Sequence, residues 1–526
     1  MMNRRMRRAI AGTLALTALG ATACTDTTVE PKSAVTEANA FTSPLAYQQF
    51  LARVYSGLAI SGQQGPAGRG DIQGIDEGFS QYVRLLWSAQ QLPSDETVLG
   101  WGDVGLPELN TQLWGSANPF LVALYYRVFF QVSMANEFLR QTADARLAER
   151  GVAAGLQAEI QTYRAEARFL RALSYYHGMD LFGSIPLVDE TFPVGSTPPQ
   201  QATRQQIYDF VVSELTAIIP NLPASTPQNY GRATRAAGQM LLAKVYLNAQ
   251  VYTGTPRWSE ARQAVEQVIA SPHTLDPNPR RPFMADNHTS PEIIFPVIQD
   301  GVRTRTWGGM TFIIHASCGG NQMQDSNFGI SGCWWGLRMK PQAFSRFSAG
   351  DGRAATFFTS GQTVAVASIG DWFAGIPAAK FSNRTSGGAA GSDPTHVDTD
   401  FPMFRLADAY LMYAEAVVRG GGGNPALALQ YVNALRERAF GNNANNITAP
   451  QLTLDFILDE RSRELLWEGH RRQDLVRFGL FTGGTYLWSW KGGTQAGVAT
   501  AAFRNLYPLP ASELVANPNL TQNPGY

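Results

Sequence analysis

The six histidines, His177, His273, His288, His315, His396 and His470, are scattered, and none stands in H-E-x-x-H or another spacing that would close on a metal ion. No G-x-x-x-x-G-K-[ST] loop is present to cradle phosphates, and no G-x-S-x-G elbow presents a nucleophilic serine. One grouping could be read as acid–base machinery: Glu464, Glu468 and His470. It lies in a run of mixed charge, with Asp459, Glu460, Arg461, Arg463, Arg471, Arg472 and Asp474. Asp459 and Arg463 are four apart, as are Glu468 and Arg472, so each pair is expected to meet on one helix face. The run is therefore read as a structural ion-pair network, and no catalytic residue, metal site or cofactor is expected.

Aromatic residues in irregular segments offer a different chemistry. The chain carries 11 Trp and 18 Tyr beside 50 Gly and 30 Pro. A ligand with apolar C–H faces and rings of hydroxyls, such as a sugar, is met by Trp or Tyr platforms bordered by Asn, Asp, Gln and Arg. Two segments supply that mixture. One runs from Ser94-Asp95-Glu96 through Trp101-Gly102-Asp103 and is flanked by Tyr82, Arg84 and Trp87. The other holds Arg305, Trp307, Asn321, Asp325, Trp334 and Trp335. Asp371 with Trp372 is a third, sparser candidate. Each of these tryptophans could equally be a packing anchor for its loop.

The elements that must position these residues are mostly helical. Helical spacing of apolar residues is read at Pro44 to Ala59, Pro119 to Gln141, Leu156 to Phe182, Thr203 to Ile219, Thr234 to Ala249 and Ser259 to Ile269. It returns at Leu406 to Arg419, Pro425 to Arg438, Leu454 to Trp467 and Arg471 to Phe478. The fold class is therefore mostly α, a tetratricopeptide-like helical-repeat scaffold at 119–270 and 405–478. Residues 271–401 read as a loop-rich, aromatic-rich insertion, with one apolar extended run from Pro291 to Val297. Ser61 to Asn118 also reads as loop. With 42 basic and 42 acidic residues the formal net charge is zero, which disfavours a nucleic-acid partner.

Arg4, Arg5, Arg7 and Arg8 precede an apolar run from Ala9 to Ala23, about 15 residues and short of the roughly 20 that span a bilayer. Residues 1–23 are thus expected to be a lipoprotein signal peptide, with Cys24 lipidated after Leu19-Gly20-Ala21-Thr22-Ala23. Ordinary signal cleavage beside a chance cysteine is the alternative. Residues 24–40 then form the lipidated N-terminus and tether, and 41–526 the folded domain. Cys318 and Cys333 remain, to be either a disulfide, as an oxidising compartment favours, or two buried thiols.

Five blocks, in order, resemble the SusD/RagB family. They are Ala165-Glu166-Ala167-Arg168-Phe169 running on to Leu181-Phe182-Gly183-Ser184-Ile185-Pro186; Gly231-Arg232-Ala233-Thr234 with Leu242-Ala243-Lys244-Val245-Tyr246; Phe404-Arg405-Leu406-Ala407-Asp408 with Tyr413-Ala414-Glu415; Glu460-Arg461-Ser462-Arg463-Glu464 with Glu468-Gly469-His470-Arg471-Arg472; and Tyr507-Pro508-Leu509-Pro510 with the closing Asn517 to Tyr526. The resemblance implies about four tetratricopeptide-like helix pairs with a loop-rich subdomain among them. It further implies a non-enzymatic protein, lipid-anchored in the outer membrane and facing the cell exterior. There it would bind a glycan and deliver it to a SusC-like TonB-dependent transporter barrel. Ligand residues differ among members of that family, so none is transferred by motif. Capture of a peptide or another small nutrient, or a helical scaffold of an envelope complex without cargo, are the competing expectations.

Overall fold

The computed structural model describes residue 41 and residues 43–526 apart from 194 and 196. The signal segment, Cys24 and the tether lie outside the described residues. From Gln48 onward the chain forms one compact unit.

Helix boundaries follow local capping chemistry. Helix α1 is Pro44–Ala59 and α2 is Tyr82–Gln91. Helix α3, Pro119–Gln141, starts where Asn118 accepts from the Phe120 and Leu121 amides and Pro119 supplies a preset φ. Helix α4, Ala154–Phe182, stops at Gly183, whose φ of +75° a side chain would resist. Helix α5, Arg204–Ile218, carries a Thr203/Gln206 capping box, and Thr234 caps α6, Arg235–Leu247. Helices α7 (Trp258–Ile269), α8 (Gly309–Ala316), α9 (Leu406–Val418), α10 (Pro425–Phe440), α11 (Leu454–Glu464) and α12 (Arg471–Arg477) complete the principal set.

The helices stack as a tetratricopeptide-like solenoid. In order, α3 packs on α4, α4 on α5, α5 on α6 and α6 on α7. The next neighbour of α7 is α9, which packs in turn on α10. Residues 271–401 therefore leave the solenoid between α7 and α9 and return to it. Their exit and re-entry are stitched by strand β4, Ile293–Val297, antiparallel to β6, Phe401–Arg405. Phe295 on that pair seats against Phe169 of α4, ring centroids 5.1 Å apart. Two shorter pairs complete the strands: β2, Ile185–Pro186, with β3, Gln201–Ala202, and β1, Thr97–Leu99, with β5, Leu337–Met339.

Three expectations are corrected. The segment from Ser61 to Asn118 is not all loop, because it holds α2 and a short helix at Leu106–Thr111. All ten residues of α2 are buried, polar ones included; Arg84, Ser88 and Gln91 nevertheless recur at helical spacing, a period that marks the helix. The Leu454 helix ends at Glu464, three residues early, and Trp467 sits at a φ of +63°. The four-apart ion pairs also do not form as read. Asp459 bonds Arg346, Arg463 bonds Glu460, Glu468 bonds Arg405 and Lys380, and Arg472 bonds Asp180. The break after Glu464 removes the shared helix face that Glu468 and Arg472 needed.

Candidate functional site

Helices α2 and α8 pack together, and their contact builds the floor of an aromatic surface. Gln81 caps α2 by accepting from the Arg84 amide, while its own amide reaches the Leu58 and Ala59 carbonyls. Arg84 is thereby fixed with its guanidinium 4.0 Å from the Phe312 ring of α8, 4.2 Å from Phe79 and 5.7 Å from Trp101. Among the described residues no carboxylate is bonded to it and its Nε and Nη2 have no partner, while Nη1 donates to the Trp307 carbonyl at 3.3 Å. Burial lowers its pKa from the ordinary guanidinium value, with Asp76, Asp103 and Glu77 pulling it back.

The β1–β5 pair carries the next residues into place. Beyond its register the Gly100 amide still donates to the Gly336 carbonyl, which sets Trp101 beside Trp334. Gly336 cannot be larger, because a Cβ there would lie 2.8 Å from the Trp101 indole. Trp101 Nε1 donates to the Trp334 carbonyl at 3.2 Å, with ring centroids 6.2 Å apart. Trp307 continues the row, 6.1 Å from Trp334 and 4.8 Å from His396. Successive planes incline by 47° and 49°, so the three indoles make a bent surface. Trp307 is 38% exposed, and Trp101 and Trp334 are half-buried.

Trp334 is backed by His315, stacked at 4.6 Å and 24°. The His315 ring lies between the Gly332 and Thr395 carbonyls, 2.8 and 3.0 Å from Nδ1 and Nε2. Burial pushes the pKa of His315 and His396 below the usual imidazole value, against the pull of the backbone carbonyls that face their ring nitrogens. Cys318 and Cys333 form a disulfide with Cα atoms 4.8 Å apart, which ties the Trp334 loop to the end of α8.

The residues singled out from sequence divide sharply. Trp101, Trp307 and Trp334 come together, with Arg305 exposed two residues from Trp307. Tyr82, Trp87 and Asp95 do not join them. Tyr82 is buried with its hydroxyl 2.9 Å from His177 Nδ1, and Trp87 Nε1 donates to the Trp467 carbonyl at 2.8 Å. Asp95 is fully buried between Arg471 and Arg346. Against the upward push of burial, those two cations hold its carboxyl well below the usual aspartate range. Asp325 is engaged in closing its own loop, accepting from the Gly332 amide at 2.8 Å. Asn321 and Trp335 are exposed, and Trp335 packs against Trp372 and not against the three-indole row. Phe312, His315 and His396 were missed: α8 is buried on every side and shows no amphipathic period, and His396 sits in a loop without pattern.

The comparisons bear on this geometry. A family model described as "SusD family" matches residues 356–526, and one described as "Starch-binding associating with outer membrane" matches 103–247. The starch-binding protein SusD of Bacteroides thetaiotaomicron is 32% identical, over 91% of this chain and 92% of that protein. This chain belongs to the SusD family. A SusD-like protein of Bacteroides ovatus is 26% identical over 59% of this chain and 58% of its own length. Among solved SusD-like folds, surface glycan-binding protein A of Bacteroides thetaiotaomicron, in complex with laminarihexaose, superposes with a TM-score of 0.69 at 21% identity, covering 91% of this chain and 98% of that one. Its counterpart from Bacteroides fluxus gives 0.70 at 22%, covering 92% and 100%. These likenesses establish the SusD fold for this chain, and the bent indole row lies within it.

Proposed function

We propose that this SusD-family protein captures a glycan at the outer membrane and passes it to a SusC-like TonB-dependent transporter barrel. It acts without turning its ligand over, and Cys24 carries the lipid that holds it at the cell exterior. The observation that carries the reading is the Trp101–Trp334–Trp307 row, three accessible indoles held rigidly and bent. Indole faces match the C–H faces of pyranose rings, and a bent row suits a chain of sugars that itself curves. Rigid support from His315, the disulfide and the Arg84 floor lowers the ordering cost of binding. The 32% identity to a starch-binding protein makes an α-glucan the first cargo to test.

The test is native affinity electrophoresis of residues 26–526 through gels containing amylopectin, laminarin or no polymer, beside Trp101→Ala. The expected result is retardation by amylopectin that is lost in the variant, a weakening of about thirtyfold for a truncated hot-spot aromatic. Retardation by laminarin alone would keep glycan capture and reassign the cargo. Migration unaffected by either polymer would reject the reading.

A further inference from the structure

Trp334 and Trp335 are neighbours in sequence, yet their indoles serve different surfaces. Trp335 has a φ of +57°, in the left-handed region where a bulky side chain costs about 1–2 kcal/mol. The backbone is clamped into that turn. The amides of Trp334, Trp335 and Gly336 donate to the carbonyls of His315, Cys318 and Ala316 at 2.8, 3.0 and 2.9 Å, satisfying the C-terminal end of α8. The disulfide fixes the residue just before them. The turn sends Trp335 against Trp372, ring centroids 5.7 Å apart. Both indoles close over bare backbone, since a Cβ on Gly319 would lie 2.5 Å from the Trp372 ring and 2.9 Å from that of Trp335.

The clamped backbone accounts for the turn but leaves the Trp335 ring only partly covered. That ring is 44% exposed, while Trp372 against it is 6% exposed. Phe373, next to Trp372 in sequence, and Val364 are 46% and 41% exposed. The strained residue thus presents an indole to water instead of burying it. Phe373 is held in place by its amide donating to Asp371 and its carbonyl accepting from Thr363 at 2.8 Å. The exposed amides of Asn321 and Gln322 follow directly on the Gly319–Gly320 backbone that underlies the pair. An apolar ring face edged with side-chain amides has the same make-up as the three-indole row, and consecutive Cα atoms, about 3.8 Å apart, root the two.

We infer that the exposed rings of Trp335 and Phe373, on a base formed by the buried Trp372 indole, form a second carbohydrate subsite next to the Trp101–Trp334–Trp307 row, which extends the grip on long glycan chains. The inference rests on the glycan-capture reading of the first surface. It makes the strain at Trp335 the means by which one loop aims two adjacent indoles at two stretches of a single polysaccharide strand.

The test uses Trp335→Gly and Phe373→Ala in residues 26–526, with Trp101→Ala alongside. Glycine is at ease at positive φ, so Trp335→Gly removes the platform while relieving the backbone, and thermal unfolding should show no loss of stability. The probes are amylopectin and maltotriose, by affinity electrophoresis and calorimetry. The expected result is amylopectin binding weakened about five- to tenfold in Trp335→Gly and less in Phe373→Ala, with maltotriose affinity unchanged in both. Amylopectin affinity retained by Trp335→Gly while Trp101→Ala loses it overturns the second subsite and leaves the first standing. Retention by both variants overturns the reading of the first surface as well. A Trp335→Gly protein that binds amylopectin normally but no longer co-purifies with its transporter would assign the patch to the barrel and overturn the inference.

Discussion

The Arg405 cluster and the indole row are each assembled from distant stretches of chain, and they treat polar groups in opposite ways. Arg405 is 1% exposed and bonds Glu292, Glu464 and Glu468, with distances from 2.5 to 2.9 Å. Arg438 and Arg353 join it on Glu464. Against the upward push of burial, Arg438, Arg405 and Arg353 hold that carboxyl well below the usual glutamate range. Within this cluster the donors of Arg405 are all answered from inside the protein. At the indole row Arg84 lies against the Phe79, Phe312 and Trp101 rings with two buried nitrogens that no described residue accepts from, and Trp307 is exposed to water. A buried charge cluster whose donors are answered from within holds the scaffold together, whereas exposed aromatic faces on a rigid base are open to a ligand.

The comparison breaks first at Arg405. Arg405→Met strips three buried carboxylates of a shared counter-charge and should cost about 3–5 kcal/mol, read as a large drop in the midpoint of thermal or denaturant unfolding. A variant as stable as the wild type would show that the cluster is not structural. Next comes the tie between the regions. Replacing Cys318 and Cys333 by Ser frees a loop of 15 residues' separation and should cost about 3 kcal/mol on the chain-entropy estimate. Glycan affinity should fall with it, because Trp334 is aimed by that loop.

Arg84→Met sharpens the contrast. With no ion pair to break, its cost should stay within about 1 kcal/mol, well below that of Arg405→Met, while the Trp101 indole loses its cationic floor and binding weakens. A pH-dependent effect belongs to Asp400, which lies in neither cluster. Burial pushes its carboxyl up to about 7, against the Gln299 amide and Tyr230 hydroxyl, with Asp398 and Asp300 adding to the rise. A raised folded pKa contributes stability at low pH that is lost as pH climbs from the ordinary aspartate range through 7. Asp400→Asn removes that dependence, so its melting temperature should gain on the wild type by roughly 2 °C between pH 4 and pH 7.5. A constant difference across that range would contradict the assignment.

The two regions were also unequally legible in the sequence. The blocks around Arg405, Glu464 and Arg471 stand out as dense, ordered charge, and ten amphipathic helices can be drawn to within a few residues. Their pairing could not be drawn, because the partners of Glu468 and Arg472 lie on β6, in the insertion and on α4 instead of one turn away. At the binding surface, tryptophans in irregular sequence were a visible signal, yet Trp87 and Trp101 look alike until the fold buries one of them. Helix α8 is short and apolar almost throughout and so lacks the period that reveals a helix facing water, whereas α2, whose Arg84, Ser88 and Gln91 recur at helical spacing, lies in a stretch rich in Gly and Pro. Arg84 and Phe312 meet only through that packing, which no local pattern encodes.

The most direct test of the central claim is calorimetric titration of maltoheptaose and amylopectin into the wild-type protein and into one carrying Trp101→Ala, Trp307→Ala and Trp334→Ala together, with unfolding followed in parallel. The account predicts that the triple variant stays folded, its Arg405 cluster untouched, and binds neither glycan measurably. A folded triple variant that binds either glycan as tightly as the wild type would contradict it.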